Sequence, residues 1–205
     1  MAITTINNRA VNRSDTASSG QLWTATSAVA SDFQAAAASG FTASSVTATT
    51  SGSYIDFTSI PAGTKIIHMN FYEVSLSGTD NILIQIGDSG GVETSAYYSY
   101  GGRLNDNVTG TSANSTAGLL AHVTSTSGAY GTNGTCTLRL VDSSAYIWTM
   151  NFQGLNLTSD GGSDATQYYI FESSGKTLSA ELDRVRIDTT GSDTFDDGKV
   201  SIMYI

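Results

Sequence analysis

The residues most suggestive of chemistry are Gly87-Asp88-Ser89-Gly90-Gly91, the local pattern of a serine-nucleophile turn. A nucleophilic serine needs a histidine to take its proton and a carboxylate to orient that histidine. In the proteases that carry this pattern, both groups precede the serine. Here the only histidine upstream is His68, inside an apolar stretch, and His122 comes later. The residue after the pattern is Val92, where those proteases have proline. Without its structural context the motif reads as a glycine turn leaving the Ile82–Ile86 run.

Other candidate groups are as sparse. Cys136 is the only cysteine, so no intrachain disulfide exists. In an apolar run it behaves as a small hydrophobe. Two histidines and one cysteine, widely spaced, make no zinc pattern. Asp160-Gly161-Gly162-Ser163-Asp164 and the set Asp193, Asp196, Asp197 offer oxygens of the kind calcium takes, but neither has EF-hand spacing. Aspartates in such loops more commonly close Asx-turns. Glu73, Glu93, Glu172 and Glu181 are candidate carboxylates, and no spacing selects two of them as an acid–base pair. Five Asn-x-Ser/Thr sequons, at Asn12, Asn107, Asn114, Asn133 and Asn156, are close to chance for a chain with 57 serines and threonines. The expectation is a non-enzyme with no catalytic residue, no metal and no cofactor.

The tyrosines carry more. Tyr97, Tyr98 and Tyr100 lie in one short run, so Tyr98 and Tyr100 share a face and Tyr97 takes the other. Tyr168 and Tyr169 repeat the habit. Exposed tyrosine rings pack on the apolar face of a pyranose while the hydroxyl bonds outward. Tyr97, Tyr98 and Tyr100 are therefore candidate contacts for a receptor or host-surface glycan. The competing reading is one face in the core and the other against a subunit neighbour.

These groups have to be held by strands. Runs with period-2 patterning or dense β-formers occur at 54–57, 65–74, 81–87, 95–100, 118–123, 136–141, 146–153, 167–172, 182–187 and 200–205. Ile82, Ile84 and Ile86 fall on one face, as do Cys136, Leu138 and Leu140. Ile67, Met69 and Phe71 agree in parity, but Val74 does not. Gly, Asn, Asp and Ser clusters separate the runs, and Asp197-Gly198 before the last run signals a hairpin. Polar residues 103–117 read as a long connection, where binding tends to reside. The pattern predicts an all-β antiparallel sandwich, jelly-roll-like, over 54–205.

Residues 1–53 are Ala-, Ser- and Thr-rich with few large apolar side chains. A short helix over Ser27–Ala38, capped by Ser31, is conceivable but lacks a stripe to bury. The segment reads as an extended N-terminal arm, with Trp23, Phe33 and Phe41 as candidate anchors on a partner.

Composition narrows the partners. Net charge is −9 and there are three lysines, so no basic patch offers itself to phosphates or anionic lipid. Nucleic acid and membrane are not expected partners. No run is long enough for a membrane-spanning helix, and the first residues lack the apolar core of a secretion signal. The expectation is synthesis in a cytoplasm.

At residue level the chain resembles a family. Residues 60–97, IPAGTKIIHMNFYEVSLSGTDNILIQIGDSGGVETSAY, and 176–205, KTLSAELDRVRIDTTGSDTFDDGKVSIMYI, are similar to a β-sandwich domain of tailed-phage and prophage virion proteins. Residues 6–34 look like the start of small marine-phage structural proteins. The likeness fades across 101–166. It implies a bacteriophage virion surface protein, assembled in the host cytoplasm, working as a homotrimer beside other capsid or tail proteins. Two placements follow: a capsid decoration (cement) or head-fibre protein held by its arm, or a tail fibre or knob tip touching a host glycan.

Overall fold

The computed structural model describes residues 21–25, 31–35, 40–43, 46–105, 110–121, 130–158 and 168–205. The chain divides into two compact units, Met1–Gly40 and Phe41–Ile205. In the first, β1 (Gln21–Ala25) pairs antiparallel with β2 (Ser31–Ala35). The helix considered for 27–38 gives way to a strand at 31–35, consistent with its lack of an apolar stripe. Trp23 and Phe33 are direct cross-strand partners in this ribbon.

The second unit is all-β: among the described residues it contains no helix, and every ladder is antiparallel. Its strands are β3 (Thr42–Ala43), β4 (Thr47–Ala48), β5 (Ile55–Phe57), β6 (Ile66–Leu76), β7 (Ile82–Asp88), β8 (Gly91–Val92), β9 (Tyr98–Asn105) and β10 (Gly110–Ser115). They continue with β11 (Leu119–Leu120), β12 (Tyr130–Asp142), β13 (Ile147–Thr158), β14 (Tyr168–Thr177), β15 (Arg184–Thr189) and β16 (Phe195–Tyr204). One sheet runs β10-β9-β14-β13-β12-β6-β16, with β3 and β4 both along β16. The other runs β11-β7-β15-β5, with β8 beside β7.

The two sheets pack face to face, as alternating patterns require. From the large sheet Ile67, Met69, Cys136, Leu138, Met150, Phe152 and Ile202 face inward; from the small one Ile84, Ile86, Val185 and Ile187 meet them. Register explains the alignment. Leu138 lies between Ile67 and Met150, and Ile84 between Leu119 and Ile187. Leu140, expected in the core, is only half-buried at its edge.

Ahead of residue 54, Thr42-Ala43 and Thr47-Ala48 pair with β16, within the unit Phe41–Ile205. Two expectations are corrected here. Asp197-Gly198 is no hairpin turn: Gly198 lies inside β16 at φ +93°. There the β16–β6 register shifts, and Glu73 opposite also has positive φ, at 51°. This bulge leaves Tyr72 and Glu73 both outward and returns Val74 to the core, which accounts for the parity slip in the sequence. A Cβ at Gly198 would run into the Glu73 carbonyl, so only glycine fits. Finally, 103–117 is not one long loop. Its ends belong to β9 and β10, which pair from Leu104↔Gly110 to Ser99↔Ser115.

Candidate functional site

The GDSGG stretch is a tight turn. Asp88 pairs with Gly91, so Ser89-Gly90 joins β7 to β8, and Gly91 has φ +131°. One Asp88 oxygen accepts from the Gly90 N–H at 2.8 Å, an Asx-turn; the other accepts from the Ser179 hydroxyl at 2.6 Å. The Ser179 bond, then the Gly90 bond, hold the Asp88 carboxyl below its usual range. Ser89 itself is exposed. His68 stands on β6 of the other sheet, with Nδ1 2.9 Å from Thr137 Oγ1 and its ring 5.1 Å from that of Phe41. His122 lies outside the described residues. Cys136 is fully buried, and burial pushes its thiol well up, so it stays protonated.

The carboxylates singled out in the sequence do not converge. Glu181 accepts from the Gly63 N–H at 2.6 Å. Glu93 pairs with buried Lys176 at 2.5 Å. Burial pushes Glu93 upward, but hydrogen bonds from Lys176 and Ser179 outweigh it and hold the group below its usual range. Asp193 and Asp80 each accept from the other's backbone N–H, at 2.7 and 2.8 Å, tying two loops together. Asp160 and Asp164 lie outside the described residues. Among the described residues no three His, Cys, Asp or Glu gather as a metal site. The sequon at Asn156 is buried, its amide oxygen accepting from Thr132.

Tyr97 is not a surface contact. It is 1% exposed. Its hydroxyl donates to the Glu93 carbonyl at 2.8 Å and accepts from the Ile86 N–H at 2.8 Å. It therefore ties β7 to the segment ahead of β9. Tyr97→Phe should cost about 1–3 kcal/mol in urea unfolding, because the Ile86 N–H is left buried without its acceptor. Tyr98→Phe, at an exposed site, should leave the midpoint unmoved.

Tyr98 and Tyr100 do share the outer face, 84% and 63% exposed. The tertiary structure adds what spacing could not. On β14, next in the sheet, Tyr169 and Phe171 are exposed on the same face. Between the tyrosines of β9 and Leu104 lies Gly102, directly opposite Phe171 on one side and Ser112 of β10 on the other. With no side chain at Gly102, a groove of about 410 Å³ opens there, walled by Tyr100, Leu104 and Phe171. A second hollow of about 260 Å³ shares the Tyr100 and Phe171 walls and is lined by Asn151, Gln153 and Ser173. Arg139 Nη1 donates to Asn151 Oδ1 at 3.0 Å, which orients that amide and leaves its NH2 as the end able to donate to a ligand. Phe171 shows no signal in the sequence beyond its i, i+2 spacing from Tyr169. Ser112, Asn151 and Gln153 are visible only once the strands are in register.

Of the anchor candidates, Trp23 and Phe33 are register partners on the β1–β2 ribbon. Phe41 belongs to the sandwich unit and packs on His68. Compared with protein-family models, curated proteins and solved structures, the chain finds no match.

Proposed function

We propose that this chain is a structural protein of the exterior of a bacteriophage particle, a capsid decoration or head-fibre protein. The observation that carries the reading is where the two resembling segments fall. Residues 60–97 supply β6, β7 and β8, and 176–205 supply β15 and β16. These distant stretches pair with each other in both sheets, β6 with β16 and β7 with β15. They form one scaffold, central in the small sheet and toward one end of the large one. The rest of the chain builds on it, extending the large sheet through β12, β13, β14 and β9 to β10. A shared scaffold with a divergent outer extension suits a protein whose framework is fixed by the particle and whose surface is free to vary. Anchoring falls to the N-terminal unit with Trp23 and Phe33, and to Phe41 at the start of the sandwich, with other virion proteins and two further copies as partners.

A second reading, a tail-fibre or knob tip that touches the host, is favoured by the aromatic face of β9 and β14. Copy number separates the two. Gel densitometry of purified particles should give this chain in numbers comparable with the major capsid protein. A handful of copies per particle would move it to the tail, and absence from particles would overturn both readings.

A further inference from the structure

We infer that the groove across β10, β9, β14 and β13 binds a neutral oligosaccharide. The inference rests on the groove's own chemistry and not on where a particle carries the protein. Its two hollows are contiguous through Tyr100 and Phe171, which wall both. Four neighbouring strands span about 14 Å at the usual ~4.8 Å spacing, room for linked sugar rings rather than one monosaccharide. Volumes of this order are those of small-ligand sites.

The lining fits a sugar in three respects. Aromatic walls offer flat apolar faces of the kind on which C–H-rich sugar faces pack. Ser112, Asn151, Gln153 and Ser173 supply hydroxyl and amide groups beside them, each able to donate and accept. Arg103 and Glu172 are among the residues that line the hollows, but both are buried, 6% and 4% exposed, and are in register with inward-facing Ile170 and Phe152, which places their charged ends on the core side of the sheet. Arg139 stands beside the lining with its guanidinium engaged by Asn151 Oδ1, and against a net charge of −9 this single engaged cation favours a neutral ligand over an anionic one.

The test is isothermal titration of the full-length protein with maltotriose, cellotriose and triacetylchitotriose, and with trigalacturonate as the anionic control. Saturable binding of at least one neutral trisaccharide is expected. Tyr100→Ala and Phe171→Ala should each weaken it about tenfold, as loss of one stacking ring would. Gly102→Val should abolish it by filling the floor. Tyr72→Ala, an exposed ring elsewhere on the same sheet face, should change nothing. Circular dichroism checks that each variant folds; if Gly102→Val does not, the two exposed ring variants decide alone. The inference is overturned by no heat with any neutral probe at millimolar concentration, by binding indifferent to the ring substitutions, or by tighter binding of trigalacturonate. It is equally overturned if the protein binds no sugar and self-associates through this face, seen as dimerisation lost in Phe171→Ala. None of these outcomes alters the copy number, so the two proposals stand or fall separately.

Discussion

Between pH 5 and 8 the protein should lose stability as pH rises, and Glu172→Gln should remove most of that slope. Glu172 points inward from β14, between Phe152 on β13 and Gly101 on β9. A Cβ at Gly101 would collide with the carboxylate, so glycine makes the room it occupies. Neither carboxyl oxygen has a hydrogen-bond partner among the described residues. Burial therefore penalises the ion and pushes the group up to about 8. In the unfolded chain it ionises near the ordinary glutamate value of about 4.3. Below that value both states hold the proton and nothing is lost. Between the two values the unfolded state has released its proton while the folded state keeps it, so stability falls by about 1.4 kcal/mol per pH unit. Across the window the loss is roughly 4–5 kcal/mol, an upper figure for one group. Asp88 and Glu93 act in the opposite sense. Their lowered values add stability above the ordinary carboxylate range that is lost only as pH falls through their folded-state values. Maximum stability should thus lie near pH 5. Urea midpoints at unit pH steps in both proteins check this, and parallel slopes would mean that Glu172 is hydrated.

Leu138→Ala and Ile84→Ala should each cost about 2–5 kcal/mol, because both leave a cavity that rigid neighbours cannot close. Leu138 is enclosed by Ile67 and Met150 within its own sheet, and Ile84 by Leu119 and Ile187 within the other. Both are fully buried. Leu140→Ala is the informative comparison. It has the same parity as Leu138, yet it sits half-exposed where the sandwich ends, so its loss should stay below about 2 kcal/mol. Chemical denaturation with unchanged m-values would read these as stability differences. Equal losses at Leu138 and Leu140 would contradict the position of the sheet edge.

Much of the sandwich was legible because strand faces obey a local rule. Alternation alone put Ile82, Ile84 and Ile86 on one face and separated Tyr97 from Tyr98 and Tyr100, as found. The same rule cannot register a bulge, so Val74 looked out of phase and Gly198 looked like a turn. It also fails at a polar edge. Residues 110–115 form β10 from Gly, Thr, Ser, Ala and Asn, a composition that reads as loop until β9 lies beside it. Leu83 and Gln85, on the other face of β7, are buried as well, where alternation had left them to solvent. A Cβ at Gly118 would touch both, so the segment leading into β11 covers that face.

By itself, then, the sequence determined the all-β class, the inward set of most central strands and the paired exposure of Tyr98 and Tyr100. Each depends only on the two-residue repeat of an extended chain. Tertiary structure alone decided that Phe171 and Ser112 flank Gly102, that Glu172 is shut away with no hydrogen-bond partner among the described residues, and that segments 60–97 and 176–205 form one scaffold. Those facts depend on which strands are neighbours and in what register. Strand order and register are set by the packing of the whole core and leave no mark on any short window of residues.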